Sequence, residues 1–338
     1  DARLLINMAR TAHDQGACLV NYCGVEDLVT DERGKVAGVT AVDHESGDKL
    51  VIRAKTVVNA AGPFCDAIRR MDDPNSESMI AASQGIHLVL PRRFFPGDAS
   101  MIVPKTSDGR VIFIIPWHDK AIVGTNDTAF PEAVLEPGPK PGEIDFLLET
   151  AEAFLAEPPK FEDVIGVFTG IRPLVKNDKS ARTASLSRDH VIRVSSKGLI
   201  TITGGKWTTV RKMAEDCVDR VVKEGSLQAK PCPTRDLAIH GATQGENHAN
   251  DPRAYYGTDL DAIHELERES PEMAERLCDE LTLCKSDIIW AVREERARTL
   301  DDVLARRSRS LFLDSPASIA VAPAVAKVMA EELGKDDA

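Results

Sequence analysis

The segment Gly198-Leu-Ile-Thr-Ile-Thr-Gly-Gly-Lys-Trp-Thr-Thr-Val-Arg-Lys-Met-Ala-Glu-Asp216 constrains this chain more than any other. Leu199 to Thr203 is rich in β-branched residues and predicts a buried strand. Gly204-Gly205 breaks it. From Thr208 onward Val210, Met213, Ala214, Cys217 and Val218 recur on one face of a helix. A strand, a glycine pair and a helix start in succession make a place where a ligand can approach the backbone, because two Cβ atoms are missing there and the helix offers unpaired N–H groups with a partial positive charge. Such a place suits an anion or an electron-rich ring edge, and Lys206 adds a full charge. A tight turn with no ligand would use the same glycines.

The remaining pattern alternates strands and helices before turning helical. Leu4, Leu5, Met8, Ala9 and Ala12 predict a first helix, ended by Gly16, with a strand at Cys18 to Tyr22. Val25 to Val29, Lys35 to Val42 and Lys49 to Ile52 predict an antiparallel meander with turns at 31 to 34 and 44 to 48. An apolar strand from Ala54 ends in the small residues Ala60, Ala61 and Gly62, and a helix follows over Cys65 to Met71. Strands are expected at Gly85 to Leu90, Met101 to Val103, Arg110 to Pro116, Ala121 to Gly124, Val164 to Thr169 and His190 to Val194. Between them lie a proline-rich loop (136 to 142) and an amphipathic helix marked by Ile144, Leu147, Leu148, Ala151 and Leu155. Beyond Gly225 helices are expected around 259–268, 271–281, 285–295, 299–307 and 316–333, with Thr299 and Asp302 forming a variant capping box. A domain boundary falls between Val222 and Asp236.

Composition narrows the function classes. The formal charge of −12 argues against nucleic acid as a partner, since a phosphate backbone needs a basic face. No apolar run approaches the roughly 20 residues of a spanning helix, so membrane contact would be peripheral. Seven cysteines at irregular spacings form neither a disulfide framework nor a zinc pattern, and no metal site is expected. Because the chain starts at Asp1 and enters a helical pattern directly, it reads as a piece of something longer.

Four residues offer chemistry. Arg172, between Ile171 and Pro173 after a strand, is suited to bidentate binding of phosphate or carboxylate, though a surface ion pair is equally in keeping with its sequence. His87 interrupts the strand Ile86 to Leu90; a lone histidine there is more commonly a hydrogen-bonded core residue than a catalytic base. Arg188 precedes a strand. With Lys206, these make two guanidiniums, an amine and an imidazole, an inventory for holding a small phosphorylated alcohol. The cluster Arg306-Arg307-Ser308-Arg309 is expected to be a solvated helix face.

An ordered series of motifs then covers nearly the whole chain: Asp1-Ala-Arg-Leu, Val57-Val-Asn-Ala-Ala-Gly-Pro, Gln84-Gly-Ile-His-Leu-Val, Thr106-Ser-Asp-Gly-Arg-Val-Ile-Phe, Pro116-Trp, Gly124-Thr-Asn-Asp, Gly170-Ile-Arg-Pro-Leu, Ser187-Arg-Asp-His, Thr203-Gly-Gly-Lys-Trp-Thr-Thr and Ala305-Arg-Arg-Ser-Arg. The series resembles the FAD-dependent glycerol-3-phosphate dehydrogenases, with the Gly-Gly-Lys-Trp-Thr-Thr form closer to the mitochondrial branch.

The resemblance implies an α/β fold of the glycine oxidase and D-amino-acid oxidase type: residues 1–72 and 198–224 in an incomplete FAD-binding domain, 73–197 in a mixed-sheet substrate domain, and 225–338 in a helical C-terminal cap. It places Ala60, Ala61, Gly62, Gly205, Lys206, Trp207 and Thr208 against FAD, Arg172 and Arg188 around glycerol 3-phosphate, and His87 as base at the C2 hydroxyl. Catalytic roles thus fall to His87, Arg172 and Lys206. The reaction implied yields dihydroxyacetone phosphate and passes electrons to a membrane quinone, at the mitochondrial inner membrane or, alternatively, a bacterial cytoplasmic membrane face. The family's Gly-x-Gly-x-x-Gly turn is missing from these 338 residues, so an N-terminal segment or a partner chain is expected to supply it. Asn126 stands where the family pattern has threonine, and the animal enzyme's calcium-binding loop is not present. The alternatives are an oxidase using oxygen and a catalytically silent structural subunit of a respiratory assembly.

Overall fold

The computed structural model describes residues 1–104, 106, 109–176, 189–243 and 251–335. Helix α1 (Ala2–Asp14) leads into the meander β1 (Cys23–Thr30), β2 (Val36–Asp43) and β3 (Lys49–Arg53), paired antiparallel in that order. The expected strand at 18–22 is not formed. Cys18 and Val20 are exposed, and no described strand lies alongside to take their backbone hydrogen bonds. The apolar run from Ala54 likewise contributes only the two residues of β4 (Val58–Asn59), which is followed by α2 (Cys65–Asp72).

The largest sheet follows from period-2 sequence. It contains β5 (Ile80–Pro91), β6 (Met101–Val103), β7 (Ile112–Trp117), β8 (Lys120–Gly124), the short β9 (Thr128–Ala129) and β10 (Gly166–Val175), in the order β10-β5-β8-β7-β6 with β9 on β5. Every pairing recorded in it is antiparallel. Ile86, Leu88, Leu90, Ile112, Ile114 and Val123 point to one face and pack on Leu147, Leu148 and Ala151 of α3 (Glu143–Glu152). Fully burying each of the larger side chains contributes about 1.5–3 kcal/mol. Directly opposed residues share a face, so the register leaves Gly85, His87, Phe168, Gly124 and Ile115 on the other side, away from that core. Strand β10 runs six residues further than periodicity suggests, through Arg172 and Pro173 to Val175. At the sheet edge a proline costs no ladder hydrogen bond.

A second, small sheet joins β11 (His190–Val194), β12 (Ile200–Gly204) and β4. β12 pairs antiparallel with β11 and parallel with β4. Helix α4 (Val210–Glu224) follows a 3-10 turn at Trp207–Thr209; only Cys217 of its apolar stripe is buried, and Val218 is exposed.

The C-terminal part is helical: α5 (Asp259–Glu269), α6 (Lys285–Arg293), the one-turn α7 (Ser310–Leu313) and α8 (Ser315–Leu333). Ile288, Leu304, Val321, Val325 and Met329 form its core. Of the expected 271–281 helix only a 3-10 turn at Pro271–Ala274 forms, and 299–307 becomes a π-helical turn over Asp302–Arg307. The Thr299–Asp302 capping pair is reciprocal: Asp302 N–H donates to Thr299 Oγ1 at 3.3 Å and Thr299 N–H to Asp302 Oδ2 at 3.2 Å. No described helix is long and apolar enough to cross a membrane.

Long-range ion pairs tie α1 to this helical part. Arg3 pairs with the buried Glu295, Arg10 with Asp259 at 3.3 Å, and His240 bridges Asp14 and Asp259 at 2.7 and 2.8 Å. Asp302 accepts from Tyr22 and Arg307, each at 2.8 Å. Arg307 is therefore buried and paired, correcting the expectation that the arginine cluster faces solvent.

Candidate active site

Two groups of residues are candidates, one at the ends of parallel strands and one on the open face of the large sheet. β4 and β12 run parallel, so their carboxyl ends lie together, and open sheets bind ligands in the crevice outside such ends. From β4 emerge Ala60, Ala61 and Gly62; from β12, Gly205, Lys206, Trp207 and Thr208. The structure thus brings the two predicted cofactor stretches side by side, with Thr203 Oγ1 donating to Gly62 O at 3.4 Å. Asn59, buried, fixes the first turn by donating to Cys65 O at 2.9 Å and accepting from Ala61 N–H at 3.3 Å.

Gly204 and Gly205 have φ of +76° and +79°, which L side chains rarely adopt. Their missing Cβ atoms also make room for the chain itself. A Cβ on Gly205 would stand 2.5 Å from Met213 Sδ, and one on Gly204 would stand 2.7 Å from Val175 Cγ2. The pair therefore shapes the turn, and a ligand's space lies beyond it, where Ala60, Ala61, Lys206 and Thr208 are exposed. The indole N–H of Trp207 is buried there with no acceptor among the described residues. A cation, a helix start and a donor lacking an acceptor fit the electron-rich edge of FAD. Behind Ala60 and Ala61 an apolar hollow of about 500 Å³ is lined by Val25, Val39, Ile52 and Val58. The glycine-rich turn that would cradle the pyrophosphate is not among these 338 residues.

The second group lies on the open face of the large sheet. His87 stacks on Phe168, ring centroids 4.8 Å apart and 12° from parallel. Across β8 the residue facing it is Gly124, where a Cβ would collide with the imidazole; glycine is required for the ring to lie flat. Arg172 lies over Gly85 by the same device. Its guanidinium donates to Thr125 Oγ1 at 3.1 Å and stands 3.5 Å from Asp127 Oδ1, while Asp127 accepts a short hydrogen bond from Ser83. The loop carrying Thr125 and Asp127 is anchored by Asn126, which accepts from Ile86 N–H at 2.8 Å and donates to Glu143 at 2.7 Å; asparagine serves there in place of the family's threonine. Burial, and secondarily the Arg172 charge, lower the His87 pKa from 6.5 to about 4, so its imidazole is neutral at ordinary pH.

Arg188 lies outside the described residues, and so does the center of the Thr106 motif. The sequence reading missed Thr125 and Asp127, which orient Arg172. It also missed Phe168 and Trp117, which wall the His87 side. Gly85 and Gly124, two glycines within strands, were the available signal.

Comparison with known proteins gives the family. A family model described as FAD dependent oxidoreductase matches residues 1–211, and one described as the C-terminal domain of alpha-glycerophosphate oxidase matches residues 200–338. A probable mitochondrial glycerol-3-phosphate dehydrogenase of Caenorhabditis elegans is 38% identical over 99% of this chain and 49% of its own length. The human mitochondrial glycerol-3-phosphate dehydrogenase is 35% identical over 100% of this chain and 50% of its own. The chain thus spans about half the length of these relatives. The crystal structure of the glycerol-3-phosphate dehydrogenase from Bacillus halodurans, complexed with FAD, superposes with a TM-score of 0.86 at 31% identity, covering 99% of this chain and 69% of that one. This chain belongs to the FAD-dependent oxidoreductase family, in its glycerol-3-phosphate dehydrogenase branch.

Proposed function

We propose that this chain forms the larger part of an enzyme that oxidises sn-glycerol 3-phosphate to dihydroxyacetone phosphate and delivers the electrons to a membrane quinone. The observation that carries the reading is His87: a neutral imidazole on an open sheet face, beside a guanidinium held by Thr125 and Asp127. FAD, held by Ala60 to Gly62 and Gly205 to Thr208, would supply the acceptor for the hydride that leaves C2. The chain's own residues do the rest. Arg172, joined by Arg188, binds the phosphate through charge-assisted hydrogen bonds. That places the C2 hydroxyl at His87, whose free ring nitrogen accepts the proton. Phosphate binding offsets the Arg172 charge, one of the two influences depressing the histidine, and makes His87 a better base when substrate is present. Lys206 and the start of α4 stabilise negative charge on the cofactor.

Residues 1–72 with 198–224, 73–197 and 225–338 are taken as cofactor, substrate and cap units. A further N-terminal segment or a partner chain completes the cofactor unit. By analogy with relatives named mitochondrial, the enzyme works peripherally at the mitochondrial inner membrane, the alternative being a bacterial cytoplasmic membrane face. The match of residues 200–338 to a glycerophosphate oxidase domain supports a second reading, transfer of electrons to oxygen, which peroxide formation during turnover distinguishes.

The test is bleaching of flavin absorbance by glycerol 3-phosphate in the complete protein. Arg172→Ala should raise KM by the roughly 1.5–3 kcal/mol of hydrogen bonds to a charged group, about 10- to 150-fold. An unchanged KM removes Arg172 from the site, and a colourless protein that substrate does not alter favours a structural subunit.

A further inference from the structure

The motif Ser187-Arg-Asp-His190 ends in a residue that the proposed reaction does not use. His190 opens β11 and stands directly across from Gly204, the last residue of β12. Its Nε2 lies 3.0 Å from Asp216 Oδ2, on the second turn of α4, so the pair bridges the small sheet and the helix behind the glycine turn. Contact with the turn itself is close: a Cβ on Gly205 would stand 3.2 Å from His190 Cβ. Asp216 also accepts from Lys212 Nζ at 2.6 Å, and these two partners, Lys212 foremost, hold its carboxyl below the ordinary aspartate value. The carboxylate is therefore ionised and can only accept, so the proton between it and His190 sits on Nε2.

Packing does little to fix this helix. Of α4 only Cys217 is buried, and Val218 is exposed. Neither α4 nor the 3-10 turn before it has a side-chain cap, so the helix start is not held by a hydrogen bond of its own side chains. Lys206 moves with that start, because its carbonyl accepts from both the N–H and the hydroxyl of Thr209, at 3.0 Å each. A shift of α4 against β12 would carry the Lys206 ammonium with it. The His190 bond opposes such a shift: it ties the sheet before the turn to the helix after it, and a hydrogen bond to an ionised acceptor is stronger than a neutral one.

We infer that His190, through Asp216, is a positioning residue: it sets where the Lys206 ammonium and the start of α4 stand against the cofactor, and so how strongly they stabilise its reduced form. In this role His190 touches neither flavin nor substrate and acts through Lys206. The inference rests on the assignment of that turn to FAD, and the test separates the two.

The test measures the midpoint potential of the bound flavin in the complete protein. Lys206→Gln should weaken binding of the reduced over the oxidised cofactor about 10-fold, the loss of one charge-assisted hydrogen bond, which is about 30 mV for a two-electron couple. His190→Leu should cause about a 3-fold loss, about 15 mV, and Asp216→Ala the same. His190→Gln, whose amide keeps a donor near the Nε2 position, should restore the wild-type potential, a rescue that a merely space-filling role for the ring would not give. Adding His190→Leu to Lys206→Gln should lower the potential no further, since the two act as a unit. Hydrogen exchange of the flavin-free complete protein reads the turn itself: amides 205–210 should exchange faster in His190→Leu and at the wild-type rate in His190→Gln. A potential lowered by Lys206→Gln but not by His190→Leu overturns the inference and leaves the cofactor assignment standing; potentials moved by neither overturn both. An additive fall in the double variant also overturns it, because His190 would then act independently of Lys206. Should His190→Leu fail to fold, His190→Asn, polar but too short to reach Asp216, takes its place with the same outcomes.

Discussion

Replacing His87 with glutamine should change how stability depends on acidity. The folded-state pKa of about 4 lies below the unfolded value of 6.5, so the unfolded chain binds more protons between these values and stability falls as pH drops through that window. The penalty is nearly absent at pH 7, reaches about 2 kcal/mol at pH 5, approaches its full size of about 3 kcal/mol near pH 4 and stays constant below. Asp287 works in the opposite sense. Burial raises its pKa from 3.8 to about 6, so the folded protein gains a proton first and recovers about 1 kcal/mol by pH 5. A wild-type profile alone would show mainly the difference. Asp287 sits in the separate helical core, so its contribution should be common to both proteins and cancel on subtraction. The assay is urea unfolding of wild type and His87→Gln from pH 7.5 to 4.5, with linear extrapolation. Acidification from pH 7 to 5 should cost wild type about 2 kcal/mol more than the variant. Parallel profiles would refute the claim that His87 is held neutral by burial beside Arg172, and with it the base assignment.

Two further outcomes follow from the same packing. Gly124→Ala places a Cβ into the His87 ring, so it should destabilise by the roughly 1–3 kcal/mol of overpacking and slow flavin reduction; a stable variant of normal rate would show that the ring does not lie against that strand. Asp302→Ala strips the carboxylate from buried Arg307, from Tyr22 and from the Arg298 and Thr299 N–H groups, and should cost about 3–5 kcal/mol in urea unfolding. A loss below about 1 kcal/mol would mean the pair is solvated.

Local signals in the sequence were reliable where the chain satisfies itself locally. The meander, α1, α3 and the β12 to α4 turn follow from periodicity and turn residues, since their partners are near in sequence. Cys18 to Tyr22 shows the limit, because an apolar run becomes a strand only beside another strand. At the site, the glycine pair was legible as a turn between strand and helix with Lys206 exposed on it, although the glycines themselves accommodate Met213 and Val175. His87 and Arg172 were visible as residue types, but their neighbourhood depends on register: only the pairing of β5 with β8 and β10 reveals that Gly124, Phe168 and Gly85 surround them. The arginine cluster was read wrongly because Asp302 pairs with Arg306 and the buried Arg307, contacts that charge patterning does not record.

The clasp between α1 and the helical C-terminal part bears on the order of events during synthesis. Arg3 and Tyr22 meet Glu295 and Asp302, partners 292 and 280 positions away. On a growing polypeptide those partners emerge long after Arg3 and Tyr22. Contacts of such sequence separation form slowly because a long loop must close first. Helix α1, with Leu4 and Leu5 exposed even in the finished structure, therefore waits for partners as far as 292 positions downstream to hold it. Until they emerge, that helix is an apolar surface for a chaperone to cover.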